Sequence, residues 1–208
     1  MNPRPLASLI AGIARTVSGV QVTWRDGLPN AKQSIFFANH TSHLDFVVLW
    51  SSLPREFRTV TRPVAAQDYW NHGLRRTVAV GVFNALLIPR RHENGSVEAQ
   101  ARETIDRIAA GMEDRYSLII FPEGTRGTGE EVAPFKSGLY HLCRQKPGVQ
   151  LIPAYLENLN RILPKGEFLP VPFISRLTFG SALRFDPDEP KYDFLTRARD
   201  AVCALRTR

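Results

Sequence analysis

The stretch Ile35-Phe36-Phe37-Ala38-Asn39-His40-Thr41-Ser42-His43-Leu44-Asp45 decides how this chain folds. An apolar run of strand character ends at Ala38, and a polar turn carrying two histidines follows. Asp45 then opens a second apolar run, Phe46-Val47-Val48-Leu49-Trp50. A strand that delivers a histidine into a turn before a helix exposes reactive groups at the carboxyl edge of a sheet. On one ideal helix the five-residue offset of His40 and Asp45 is about 140°, so they would not share a face. With His40 in the turn and Asp45 in the first helical turn, the chain folds back. The carboxylate can then accept the Nδ1–H of His40, leaving Nε2 as a base. The same residues also fit a capping box: Ser42-His43-Leu44-Asp45 has the S-x-x-[DE] form, with Ser42 as cap and Asp45 at the positive helix end. The two readings are compatible, and both stay open on this stretch alone.

Further along, Leu118-Ile119-Ile120-Phe121 repeats the pattern as a short apolar strand running into Pro122-Glu123-Gly124-Thr125-Arg126. Gly124 permits close backbone approach to a ligand. Arg126 offers a fork for phosphate oxygens and Thr125 a hydroxyl. Glu123 would hold the guanidinium or accept a hydroxyl; a surface turn with a Glu–Arg ion pair is the alternative. The glycine spacing is not a nucleotide loop, because Gly129 is followed by Glu130 rather than Lys-Ser/Thr.

Around these two stretches, strands and helices alternate. Strands are expected at 20–24, 35–38, 59–66, 84–88, 118–121 and 151–156, with one or two more within 176–185. Pro63 and Pro153 weaken two of them. Helices are expected at the N-terminus and over 45–52, 69–80, 98–112, 138–145 and 194–205. The alternation predicts one α/β domain over residues 1–208, a mostly parallel mixed sheet flanked by helices, with the motif-bearing core over 30–160. Leu163 to Pro172 reads as an irregular, proline-rich apolar loop.

The 208 residues carry a net charge of +7, a balance that favours an acidic partner such as nucleic acid, anionic lipid or a phosphorylated substrate. Cys143 and Cys203 form no C-x-x-C pair and read as reduced packing residues. The nearly uncharged run from Pro5 to Ala14 is about half the ~20 residues needed to span a bilayer, so no transmembrane helix is expected. Leu6, Leu9, Ile10, Ile13 and Val17 do recur at helical spacing. This stripe suits an interfacial helix over 1–19, or packing on the protein's own core.

The two stretches together resemble the signatures of glycerolipid acyltransferases. Asn39 to Asp45 matches N-H-x-x-x-x-D, and Phe121 to Arg126 matches F-P-E-G-T-R in full. The chain is similar to the lysophosphatidic acid acyltransferases of the PlsC type, over roughly residues 30–160. Ile88-Pro89-Arg90 falls where that family has a G-x-x-F-I-x-R block, with Asn84 and Leu87 standing in place of Gly and Phe. Leu151-Ile152-Pro153-Ala154 resembles the final apolar-proline block. The resemblance implies a glycerol-3-phosphate acyltransferase-like fold. It implies that His40, oriented by Asp45, takes the proton from the free hydroxyl of a lysophospholipid, 1-acyl-sn-glycerol-3-phosphate above all, which attacks the thioester of acyl-CoA or acyl carrier protein. No other cofactor and no metal are implied. Arg90, Glu123, Gly124, Thr125 and Arg126 would hold phosphate and glycerol, with Lys136 either joining them or standing as a solvated surface lysine. The substrate implies a peripheral enzyme at an anionic membrane surface, on the cytoplasmic face of the cell membrane. The N-terminal stripe and 162–173 are then the expected insertion elements.

Other readings are an acyltransferase for another lysolipid such as lyso-ornithine lipid, a metal-dependent hydrolase using His40, His43 and Asp45 with His72, His92 or His141, and a non-enzymatic lipid binder. The histidine spacing is not H-E-x-x-H. Aromatic residues do not interleave with Lys and Arg in an RNA-binding pattern, so nucleic acid is not the expected partner.

Overall fold

The structure is a computed structural model and describes residues 3–30, 33–67, 73–89, 96–162 and 174–207. The elements in chain order are α1 (Pro3–Ser18), β1 (Gln21–Trp24), β2 (Ser34–Ala38), α2 (Asp45–Ser52), α3 (Arg55–Thr59), β3 (Thr61–Ala66), α4 (Gly73–Gly81), β4 (Leu86–Ile88), α5 (Val97–Gly111), β5 (Ser117–Ile120), α6 (Gly138–Gln145), β6 (Gln150–Glu157), α7 (Leu159–Ile162), β7 (Arg176–Phe179) and α8 (Lys191–Cys203).

The sheet order is β1-β7-β6-β2-β5-β3-β4. From β6 to β4 the pairings are parallel, while β7 lies antiparallel to β6 and carries β1 parallel to itself. The expected mostly parallel mixed α/β sheet is thus found, with its reversed strands at one edge. β2 is central and every residue in it is buried, which is why its sequence is continuously apolar rather than alternating. Phe36 and Ala38 point to one face, joining a core built with α1, α2 and α4. Ile35 and Phe37 point to the other, joining residues of α5, α6 and α8. The period of two along the strand divides its side chains between the two helical layers.

Several expectations shift on folding. Residues Arg55–Thr59, read as loop and strand start, form the short helix α3 behind Pro54, and β3 begins only at Thr61. Pro153 does not interrupt β6. Its carbonyl accepts from the Gly180 N–H at 2.8 Å, so its missing donor faces the β7 side just where that pairing ends at Phe179. The N-terminal part of the expected 69–80 helix and the proline-rich loop over 163–173 lie outside the described residues. Along α1 the apolar stripe splits. Ala7, Ile10 and Ala11 pack on the core, whereas Leu6, Leu9, Ile13 and Val17 are exposed, Leu9 by 59%. At 100° per residue those four exposed positions fall within one arc of about 80°. Among the described residues no helix is long and apolar enough to cross a membrane.

Candidate active site

β2 and β5 are adjacent and parallel, with Phe37 opposite Ile120. His40 stands three residues beyond Phe37, and Glu123 three beyond Ile120. Equal overhang from paired strands brings the two motif loops together although they are 83 residues apart. The Glu123 carboxylate closes the junction: Oε1 accepts the His40 backbone N–H at 2.7 Å, and Oε2 accepts the Ala133 N–H at 2.9 Å. The Gly127 N–H donates to the His40 carbonyl at 2.8 Å, binding the same two loops a second time. On the β6 side, the Asn39 amide donates to the Leu156 carbonyl at 2.9 Å and accepts the Leu156 N–H at 2.8 Å. The histidine turn is thus fixed to both neighbouring strands through backbone groups.

Within the turn, Asp45 Oδ2 lies 2.8 Å from His40 Nδ1. The same oxygen accepts the N–H groups of Thr41 at 2.6 Å and Ser42 at 2.9 Å. Asp45 is 0% exposed, and its Oδ1 is buried without a hydrogen-bond partner among the described residues. A buried carboxylate facing Nδ1 assigns the ring proton to that nitrogen and leaves Nε2 as the basic atom. The Phe121 ring stacks on the imidazole, with centroids 4.4 Å apart and planes 20° from parallel, which fixes the remaining rotation. Only half of the capping box forms. Asp45 reaches back to the Ser42 N–H, while Ser42 Oγ accepts from Leu44 at 3.3 Å and gives the helix no side-chain cap.

In front of His40 lies a cavity of about 600 Å³. That is the size of a small-molecule site. His40, Gly124, Arg126 and Lys136 line its polar part. Val64, Ile105, Ile108, Ile120, Leu139 and Leu142 line its apolar part, between the sheet and the helices α5 and α6. Gly124 has φ +72°, and a Cβ there would stand 2.8 Å from Lys136 Nζ, so the lysine stem crosses the glycine and carries its ammonium to the cavity. Lys136 is itself exposed, a lining residue that also faces solvent.

The structure therefore brings His40, Asp45, Gly124, Arg126 and Lys136 together. Thr125 is exposed and is not among the cavity's lining residues. Glu123 is 4% exposed, and both its oxygens serve backbone donors, so it braces the loops rather than facing the cavity. Burial pushes its carboxyl above the ordinary value, an effect opposed by the N–H groups of Ala133 and His40. Arg90 lies outside the described residues; Ile88 and Pro89 just before it line the cavity. Asn39 and the apolar wall carried no assigned role in the sequence, because a backbone brace and a cavity lining both look like ordinary core there. Among the described residues no three His, Cys, Asp or Glu side chains converge as metal ligands.

Comparison with known proteins places the chain in a family. A family model described as Acyltransferase matches residues 19–157. A 1-acyl-sn-glycerol-3-phosphate acyltransferase of Salmonella typhimurium is 29% identical over 168 residues, covering 76% of this chain and 62% of the relative. One from Limnanthes douglasii is 25% identical over 167 residues, covering 79% and 56%. The chain thus spans little more than half the length of such curated relatives. The crystal structure of the 1-acyl-sn-glycerophosphate acyltransferase PlsC from Thermotoga maritima superposes with a TM-score of 0.70 at 19% identity, covering 98% of this chain and 80% of that one. With both signature motifs meeting at one sheet edge and the family model matching most of its length, the chain belongs to the acyltransferase family.

Proposed function

We propose that this chain transfers a fatty acyl group from a thioester, acyl-CoA or acyl carrier protein, to the free hydroxyl of a lysophospholipid, with 1-acyl-sn-glycerol-3-phosphate as the acceptor. The observation that carries this reading is the contact of 2.8 Å between His40 Nδ1 and Asp45 Oδ2, with His40 lining a cavity that Arg126, Lys136 and a set of apolar side chains also line. His40 Nε2 takes the proton of the acceptor hydroxyl as its oxygen attacks the thioester carbonyl. The buried Asp45 charge stabilises the imidazolium. The tetrahedral intermediate collapses, and the leaving thiolate takes the proton back from Nε2. No acyl-enzyme is formed. Arg126 and Lys136 hold the acceptor's phosphate, with Arg90 joining them; Gly124 makes room for the lysine. Thr125, exposed next to Gly124 in the same loop, offers its hydroxyl to the acceptor headgroup outside the cavity. Glu123 contributes by positioning His40. The acyl chain of the donor runs along Ile105, Ile120 and Leu142, excluding water from the reacting carbonyl.

The exposed face of α1 rests on the membrane from which the acceptor comes, at the cytoplasmic leaflet, where a net charge of +7 meets anionic lipid. The test is acyl transfer from a labelled thioester in detergent micelles, with a panel of acceptors: 1-acylglycerol-3-phosphate, a lysophospholipid without the phosphomonoester, and lyso-ornithine lipid. Preference for the phosphomonoester that disappears in Lys136→Ala and Arg126→Ala supports the reading. Equal use of lyso-ornithine lipid by wild type would remove the phosphate assignment, and no transfer to any acceptor would leave a lipid binder.

A further inference from the structure

On the α1 side of the sheet a second cavity of about 700 Å³ opens between α1, α3 and the end of α4. Ala7, Trp50, Val80, Val82 and Phe83 supply apolar wall, and Val80 is 46% exposed. The charged lining consists of Arg55 and Glu56, both exposed, and the half-buried Arg58. Arg58 stacks on Trp50 with its guanidinium carbon 5.3 Å from the ring centroid, and donates to the Ser51 carbonyl at 3.3 Å. Burial and the like charges of Arg15 and Arg55 push the Arg58 pKa down. None of these three arginines forms an ion pair among the described residues. Trp50 itself is 2% exposed, and its indole N–H has no hydrogen-bond partner among the described residues.

Arg55 and Arg58 outnumber Glu56 at this partly apolar hollow, and the charge left over fits an anion with an apolar body. Guanidinium forks match phosphate oxygens in pairs. Glu56 offsets one charge and leaves the cluster net positive.

We propose that this cavity binds one molecule of an anionic phospholipid, its phosphate held by Arg55 and Arg58 and its glycerol and acyl carbons laid chiefly along Val80, over a floor closed by the buried Trp50 and Phe83. The site is separate from the catalytic cavity. Phe83 packs edge-on against Trp50 at 4.9 Å and against Phe46 at 5.2 Å, and Phe46 lines the other cavity, so an aromatic partition stands between the two. The proposal does not depend on the catalytic reading, because its test reads binding and position rather than turnover.

The test uses the full chain and a short-chain phosphatidylglycerol below its micelle concentration, carrying a photoactivated diazirine on one acyl chain. Adducts are mapped by peptide mass spectrometry. Wild type should give saturable adducts at 80–83 and 7–8. Arg55→Glu, an exposed position, and Arg55→Gln/Arg58→Gln should lower them at least tenfold, while Arg184→Glu, an exposed arginine elsewhere, stays within twofold. Any adducts near Ile105 and Ile120 provide the internal standard that each variant is folded, and circular dichroism provides it independently. The phosphatidylcholine analogue should label 80–83 at least tenfold less, and glycerol phosphate alone should compete at least tenfold more weakly than the lipid. Equal labelling of 80–83 in folded Arg55→Glu, equal labelling by phosphatidylcholine, or no labelling there would overturn the proposal. Competition by glycerol phosphate as strong as by the lipid would overturn it in favour of a soluble phosphate site. Competition by an acidic protein in the absence of any lipid labelling would overturn it in favour of a protein partner.

Discussion

Replacing Glu123 with Gln keeps the side chain's shape but turns one acceptor oxygen into a donor. In the wild type both oxygens accept backbone N–H groups, from His40 at 2.7 Å and Ala133 at 2.9 Å. The amide can satisfy only one; at the other, donor meets donor. A lost charge-assisted hydrogen bond costs roughly 1.5–3 kcal/mol. Part of that is offset, because the neutral amide no longer bears the burial that raises the Glu123 carboxyl. The net cost at neutral pH is about 2 kcal/mol. For a chain of 208 residues this corresponds to a fall in Tm of roughly 4–8 °C. Because the His40 backbone loses its anchor, kcat should fall roughly 10–100-fold with the acceptor KM within about threefold. Steady-state kinetics at varied acceptor concentration, beside a thermal melt, measure both. An acceptor KM raised more than tenfold with kcat and Tm unchanged would refute the bracing role and return Glu123 to contact with the acceptor. The pH dependence has a definite sign. A carboxyl raised above its ordinary value of 4.5 favours the protonated fold. Its contribution is full below the unfolded value and is lost as pH rises through the folded one. Wild type should therefore lose stability relative to Glu123→Gln as pH rises through that window.

Three further outcomes follow from the same geometry. Asp45→Asn keeps acceptor geometry for Thr41 and Ser42 but removes the buried charge facing His40, so kcat should fall about 10²–10⁴-fold; activity within threefold of wild type would dismiss the orienting role. Gly124→Ala forces a Cβ to φ +72° and to 2.8 Å from Lys136 Nζ. The left-handed conformation costs about 1–2 kcal/mol, seen as a lower Tm, and the displaced lysine should raise the acceptor KM several-fold. Ile105→Phe narrows the apolar part of the cavity. Its kcat/KM should drop about tenfold for long-chain donors relative to short ones, and an equal drop at all chain lengths would argue against an acyl chain in that position.

The sequence made the central strands and their loops legible because burial dictates composition there. β2 is enclosed on both faces and reads as an unbroken apolar run, and the His–Asp contact follows from a turn meeting a helix start. What it could not show was direction and partnership. Nothing in Arg176 to Phe179 says that β7 runs against β6, because strand residues pack alike either way. α3 was hidden because Arg-Glu-Phe-Arg-Thr has no apolar period and buries no residue fully. Glu123 was expected at the substrate because a carboxylate in a loop beside an arginine normally faces solvent; its partners are backbone N–H groups, which every residue carries. The same holds for Asn39 and Leu156. The wall formed by Ile105, Ile108 and Leu142 repeats at helical spacing like any core face, so only the fold separates lining from filling. The arginine cluster at Arg15, Arg55 and Arg58 is spread over two helices, α1 and α3, and only the fold brings it together.

The central claim is that His40 removes the acceptor's proton. Its most direct measurement is a single-turnover acyl transfer from a labelled thioester to 1-acylglycerol-3-phosphate, comparing wild type with His40→Ala of matched Tm and with chelator present. The account predicts product from wild type and a rate at least 10²-fold lower in the variant, with acceptor binding preserved. A folded His40→Ala that transfers the acyl group at the wild-type rate would contradict it.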